Sequence, residues 1–177
     1  MPSEDELLYR ATLDLVTDGA LDLAEVAWER SRQMSPAARQ SFLMDALSEI
    51  SVAYGDEAAA AAVDYLRTVS VATGAEIAPA AANREQVRTS MAWALQTQRE
   101  GLADEAILAT LQPRIRGVVL KLVRLRAHDT VDRVARQLGK KRVVRHEPGA
   151  CGYCLGRATQ GARPPFHDGC RCDVVLE

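Results

Sequence analysis

The chain has 177 residues, 47% of them apolar and only 5% aromatic, with a net charge of −2. That is enough apolar content for one core. The alanine-rich, aromatic-poor composition favours small-residue helix packing over a β-sandwich, and no apolar run reaches the length of a membrane span. The small net charge hides a polarity: residues 1–110 carry 8 basic and 18 acidic side chains, and residues 111–146 carry 11 basic and 2 acidic ones. Two stretches of opposite sign face either different partners or each other.

Ser3 to Glu6 forms a capping box ahead of Leu7, Leu8, Ala11 and Leu15, which predicts a first helix ending before Gly19. Leu21, Ala24, Ala27 and Trp28 predict a second helical face. Ser35-Pro36 opens the next helix, with Phe42, Leu43, Leu47, Ile50 and Tyr54 at helical spacing and Gly55 as its stop. Asp56 then caps an alanine-rich helix carrying Val63 and Leu66 and ending at Gly74. After the loop GAEIAPAA, Asn83 to Gln86 caps a helix through Met91 and Leu95. Asp104 opens a segment that Pro113 breaks or kinks. A basic helix, RIRGVVLKLVRLRA, follows, with Ile115, Val118, Val119, Leu122 and Leu125 on one stripe and Arg114, Lys121 and Arg124 mostly off it. Asp129 caps a last helix that Gly139 stops. Trp28 and Trp93 are expected as core anchors.

KKRVVRHE is short, β-branched and alternating, so it predicts a strand. The fold class expected is mainly α: a helical body of about six to seven helices over residues 1–139, acidic to 110 and basic beyond. A small C-terminal α+β module like a zinc knuckle follows over 140–177, with one or two short strands.

All four cysteines lie in the last 27 residues, in the pattern C-x2-C-x12-H-x2-C-x-C. The N-terminus, MPSEDELLYR, has no signal-peptide shape, so a reducing compartment is expected, where clustered cysteines bind metal more often than they form disulfides. Two thiolates from a C-x-x-C turn and a second pair from downstream complete a tetrahedron. Two ligand sets are open: Cys151, Cys154, Cys170 and Cys172, or Cys151, Cys154, His167 and one of the late cysteines. Sulfur ligands select zinc over magnesium or calcium. In so small a module the metal would supply folding energy. A disulfide pair or unligated thiols is the competing reading, and catalytic zinc a weaker one. His146-Glu147-Pro148 before C-x-x-C superficially matches the zinc deaminases, but no residue separates His from Glu, as their signature requires.

The block RVVRHEPGACGYCLGRATQGARPPFHDGCRC resembles the C-terminal signature of Mu F-like phage head-morphogenesis proteins, in their actinobacteriophage branch. The matching positions are Arg142 and Val143, Cys151 and Cys154, Gly161, then His167, Asp168, Cys170 and Cys172. Upstream, Tyr54, Gly55, Asp56, Asp64, Tyr65 and Arg67 are similar to a helical segment of the same branch. The link ARPPF is shorter than the insert that family members often carry there. The resemblance implies a minor capsid protein: a virion component in modest copy number, associated with the portal or capsid interior, and in the host cytoplasm during assembly. Its partners would be portal or capsid proteins, with a homo-oligomer compatible. Some relatives carry fused protease or toxin domains, for which this length leaves no room.

The basic stretch, with Arg114, Arg116, Lys121, Arg124, Arg126, Lys140, Lys141, Arg142 and Arg145, fits non-specific contact with packaged double-stranded DNA, because each neutralised phosphate releases counterion. The alternative is that these side chains solvate a helix and pair with the acidic half. A zinc-containing nucleic-acid-binding regulator is the rival function, although only Arg157 and Arg163 are basic inside the knuckle loop. A nuclease reading of His167 lacks a second motif, since only His128 and His146 remain. No catalytic residue, no small-molecule substrate and no membrane association is expected.

Overall fold

The computed structural model describes residues 2–70, 77–96, 104–146, 153, 154, 156 and 170–176. Four helices and two strands follow in chain order: α1 (Glu4–Ser31), α2 (Pro36–Val69), α3 (Arg84–Leu95), α4 (Asp104–Leu138), β1 (Arg142–Arg145) and β2 (Asp173–Leu176). The six to seven helices expected from the sequence are thus four among the described residues, three of them long.

The merging has a physical reason at each expected break. Gly19 and Gly55 lie inside α1 and α2. They are places of close approach rather than stops. A Cβ on Gly19 would lie 2.9 Å from Tyr54 Cε1, and one on Gly55 would lie 2.9 Å from Arg126 Cγ. Pro113 sits inside α4. It is exposed, as is Ala109 four residues before it, so the carbonyl that loses its donor faces water. Asp56 and Asp129 are interior residues of α2 and α4, not caps. Gly139, at φ 62°, does end a helix. The Gly74 stop lies outside the described residues.

Other boundaries follow the local chemistry. Ser3 accepts from the Glu6 backbone N–H at 3.1 Å, and Asn83 from that of Gln86 at 3.0 Å. Pro36 occupies the first turn of α2. Arg39, in the next turn, donates to the carbonyls of Ser31, Arg32 and Met34. One buried guanidinium thereby satisfies the chain where α1 ends.

α1 and α2 form an antiparallel hairpin, and α4 lies antiparallel to α1 alongside both. Tyr9 stacks on Tyr65 across the first pair, with centroids 4.7 Å apart. The core is one cluster running through Leu13, Trp28, Leu43, Leu47, Leu66, Met91, Ile115, Val119 and Val123, and it also takes in Val174 and Val175 of β2. Trp93 is not a core anchor: it is 51% exposed, with the Arg114 guanidinium 5.0 Å over its ring. The buried face of α1 is Tyr9, Leu13, Ala20, Leu21, Ala24 and Trp28, whereas Leu7, Leu8, Leu15, Leu23 and Val26 are exposed. Among the described residues no helix is long and apolar enough to cross a membrane.

Candidate metal centre

The C-terminal strands position the cysteines. β1 and β2 pair antiparallel, Arg142 opposite Leu176 through Arg145 opposite Asp173. Cys172 directly precedes β2, and Cys170 lies two residues earlier. Cys154 arrives on a short helical stretch that includes Tyr153 and Gly156. All three thiols are buried, at 2%, 1% and 1% exposure for Cys154, Cys170 and Cys172, against Val144 of β1. Their sulfurs all lie within 4.8 Å of one another. Cys154 Sγ and Cys170 Sγ are 3.7 Å apart. That is far beyond a disulfide bond, about 2.05 Å, and no disulfide joins the three to one another.

The spacing fits a metal. Metal–sulfur distances of about 2.3 Å in a tetrahedron place neighbouring sulfurs about 3.8 Å apart. Three buried thiols at this separation could therefore hold one metal ion, leaving one corner for a fourth ligand. Cys151 and His167, the other ligand candidates, lie outside the described residues, as do Gly161 and Asp168. His146, set aside in the sequence, stands next to the cluster, its Nδ1 3.3 Å from Cys172 Sγ. A histidine at the end of a strand that pairs with the strand after the cysteines was the available signal, but it needs the register of β1 on β2.

One residue beyond Cys172, the chain enters a second buried polar centre. Arg124 of α4, fully buried, donates to Asp173 Oδ1 at 2.6 Å and to the Arg171 carbonyl at 3.0 Å, and also pairs with Asp14 of α1. Arg10 donates to Asp173 Oδ2 at 3.2 Å, and His128 Nε2 lies 3.6 Å from Oδ1. Burial pulls the Asp173 carboxyl up. The neighbouring His128 imidazole and the Arg124 and Arg10 guanidiniums outweigh it, and hold the carboxyl below its usual range. Arg171 reaches Asp18 at 2.6 Å and Asp14 at 3.3 Å. β2 is thus tied to α1 and α4 by charge as well as by its valines.

The remaining basic residues of the stretch divide by place. Arg116 pairs with Glu25 at 3.4 Å, Arg126 with Asp56, and Arg145 with Glu6 at 2.8 Å. The Glu6 carboxylate, expected to complete the capping box, is turned to Arg145 instead. Arg114 lies over Trp93, and Lys121 is half-buried. Lys140 and Lys141 are exposed at the end of α4, beside Arg142, whose Nε is 3.3 Å from the buried carboxylate of Asp132. Arg157 and Arg163 lie outside the described residues.

Over residues 2–177 the sequence matches the family described as VG15 protein. No curated protein and no solved structure matches it.

Proposed function

The chain belongs to the VG15 protein family, which is phage-associated, and from that membership we propose that it is a minor head protein of a tailed phage, associated with the portal or capsid interior. Family membership across almost the whole chain carries the reading. The surface supports it: five of the large exposed apolar side chains, Leu7, Leu8, Leu15, Leu23 and Val26, lie on α1. Apolar side chains on the outward side of one helix suit a subunit that is covered in an assembly. The role is structural rather than catalytic.

The metal of this reading is zinc, held by Cys154, Cys170 and Cys172 with a fourth ligand from Cys151, His167 or the adjacent His146. Zinc supplies folding energy there: it fixes the turn before β2, so that Asp173, Val174 and Val175 reach the helices. Contact with packaged DNA belongs to the same proposal.

The test is to separate phage particles on a density gradient and probe the fractions for this chain, measuring zinc in the purified protein. Co-sedimentation with heads at a few to tens of copies is the expected result. Recovery only outside the particles would overturn the head assignment and favour a zinc-containing nucleic-acid-binding regulator.

A further inference from the structure

A pocket of about 550 Å³ opens where α4 gives way to β1, lined by Asp132, Ala135, Arg136, Lys140, Lys141 and Arg142. Its shape comes from the helix end. Gly139, with its positive φ, lets the chain fold back. Its N–H then donates to the Arg136 carbonyl at 3.4 Å, and that of Lys140 to the Ala135 carbonyl at 2.9 Å. This is the Schellman pairing of a helix end. It brings the run Lys140-Lys141-Arg142 back beside the last turn of α4, where Arg136 already stands.

Two features make the pocket an anion site rather than a stretch of solvated lysines. The first is the charge of its lining: among the described residues that line it, four are cationic and one, Asp132, is acidic. Asp132 is only 4% exposed and holds Arg142 at 3.3 Å, which orients the guanidinium at the pocket wall. The second is the treatment of the helix end. The C-terminal carbonyls of a helix repel anions. Here those of Ala135 and Arg136 accept the two turn N–H groups, and that of Asp132 accepts Arg136 Nε at 3.2 Å. The negative end of α4 is covered where the four cations converge.

Among the described residues no aromatic side chain lines the pocket, so its described walls offer no platform on which a base would stack. We propose that this pocket takes backbone phosphates of double-stranded DNA without regard to sequence, with Arg136, Lys140, Lys141 and Arg142 as its cations. It narrows the basic stretch to one end of α4 and adds Arg136. The choice of DNA as the source of phosphate rests on the phage head reading; the pocket itself does not.

The experiment uses the full purified chain with its metal. Binding to a labelled random-sequence duplex of about 30 base pairs is followed by anisotropy across a salt series, since each neutralised phosphate adds about 0.9 to the log–log salt slope. K140E/K141E replaces two exposed side chains and should weaken binding by about tenfold or more near 0.1 M salt, with the slope shallower by about 2. R67E/R88E makes the same change in net charge on α2 and α3 and should leave binding close to wild type. Inorganic phosphate, titrated in parallel, should shift the backbone amide resonances of residues 139–142.

Equal losses in the two variants, or no loss in K140E/K141E, would overturn the assignment. Phosphate shifts without a DNA effect would leave a site for free anion and overturn DNA as its ligand. A chain absent from heads that still binds duplex DNA through Lys140 and Lys141 would sink the head reading and keep the pocket.

Discussion

The helical body and the C-terminal pair of strands are held by different means. The body buries a continuous run of leucines, valines and alanines between α1, α2 and α4, with α3 closing one side. Among the described residues the cysteine end has two four-residue strands and three thiols, too little apolar surface to fold alone. Yet the two are not independent. β2 lends Val174 and Val175 to the core of the body, and Asp173 neutralises a guanidinium that the body has buried completely. A local device, the cluster of buried thiols, therefore sits at a joint on which the larger region depends.

Removing the metal is the strongest way to break that comparison. If the thiols hold a metal, chelation, or Cys170→Ser, should release β1 and β2, withdraw two buried valines and leave Arg124 without its buried partner, Asp173. The helices should stay largely formed at room temperature, since most of their core is their own. The melting midpoint should fall by about 10 °C or more, from a loss of several kcal/mol in a chain of this size. Circular dichroism and melting with and without chelator check this. A metal-free chain that melts at the wild-type temperature would mean that the thiols bind nothing of consequence.

Asp173→Ala tests the joint without touching a thiol. It leaves the Arg124 charge buried beside Asp14, which is half exposed, and His128. Breaking one side of a buried pair costs about 3–5 kcal/mol. Urea unfolding should show that loss with the thiol cluster unaltered. A loss under about 1 kcal/mol would make the strand pair an appendage after all.

Alkaline pH probes the contact from the body's side. Tyr9 is pushed well above the usual phenol range, by burial first and then by the Asp173 charge. Tyr65, which donates to the Leu176 carbonyl and accepts from the Leu176 N–H, is raised chiefly by burial. Both phenols keep their protons in the folded chain past the pH at which the unfolded chain loses them. Their contribution to stability is therefore whole below the ordinary phenol range and shrinks as pH rises through it. Tyr9→Phe should flatten that decline. The Tyr9 hydroxyl is buried without a hydrogen-bond partner among the described residues, so the same change should be neutral or stabilising by about 1 kcal/mol at pH 7. Denaturant midpoints at pH 7 and above pH 10 separate the two effects.

Much of this organisation was legible in the sequence, and the remainder was hidden for definable reasons. Caps at Ser3 and Asn83, the start at Pro36, the stop at Gly139 and the strand at RVVR depend on neighbours a few residues away, and the local pattern shows them. Which face of α1 is covered was not legible, because the exposed Leu7, Leu8 and Leu15 are as apolar as the buried Leu13 and Leu21. Periodicity finds a face but not which one is covered. Arg124 looked like a solvated residue off the apolar stripe, since Asp14 and Asp173, which make its burial tolerable, are 110 and 49 residues away. Cys154, Cys170 and Cys172 were readable from spacing, whereas His146 needed the strand register to bring it to Cys172.

Gly55 gives a small effect and the sharpest test of how tightly the body itself is packed. In an exposed helix interior, glycine to alanine gains about 1 kcal/mol, because glycine gives up more backbone freedom on folding. Here the added methyl would meet Arg126 Cγ at 2.9 Å, with Cβ of the same side chain at 3.7 Å. These are inner atoms of the side chain, close to the α4 backbone, and its outer end is committed to Asp56. Arg126 cannot swing clear without breaking that pair or moving α4. Overpacking of this kind costs about 1–3 kcal/mol, so the clash outweighs the propensity gain. Gly55→Ala should therefore lower stability by about 1 kcal/mol, a fall of about 2–4 °C in melting midpoint. Asp56→Ala in the same background frees the arginine to rotate and should recover part of the loss. A single mutant more stable than wild type would show that α2 and α4 have slack at this crossing, and that Gly55 is a tolerated defect rather than a contact.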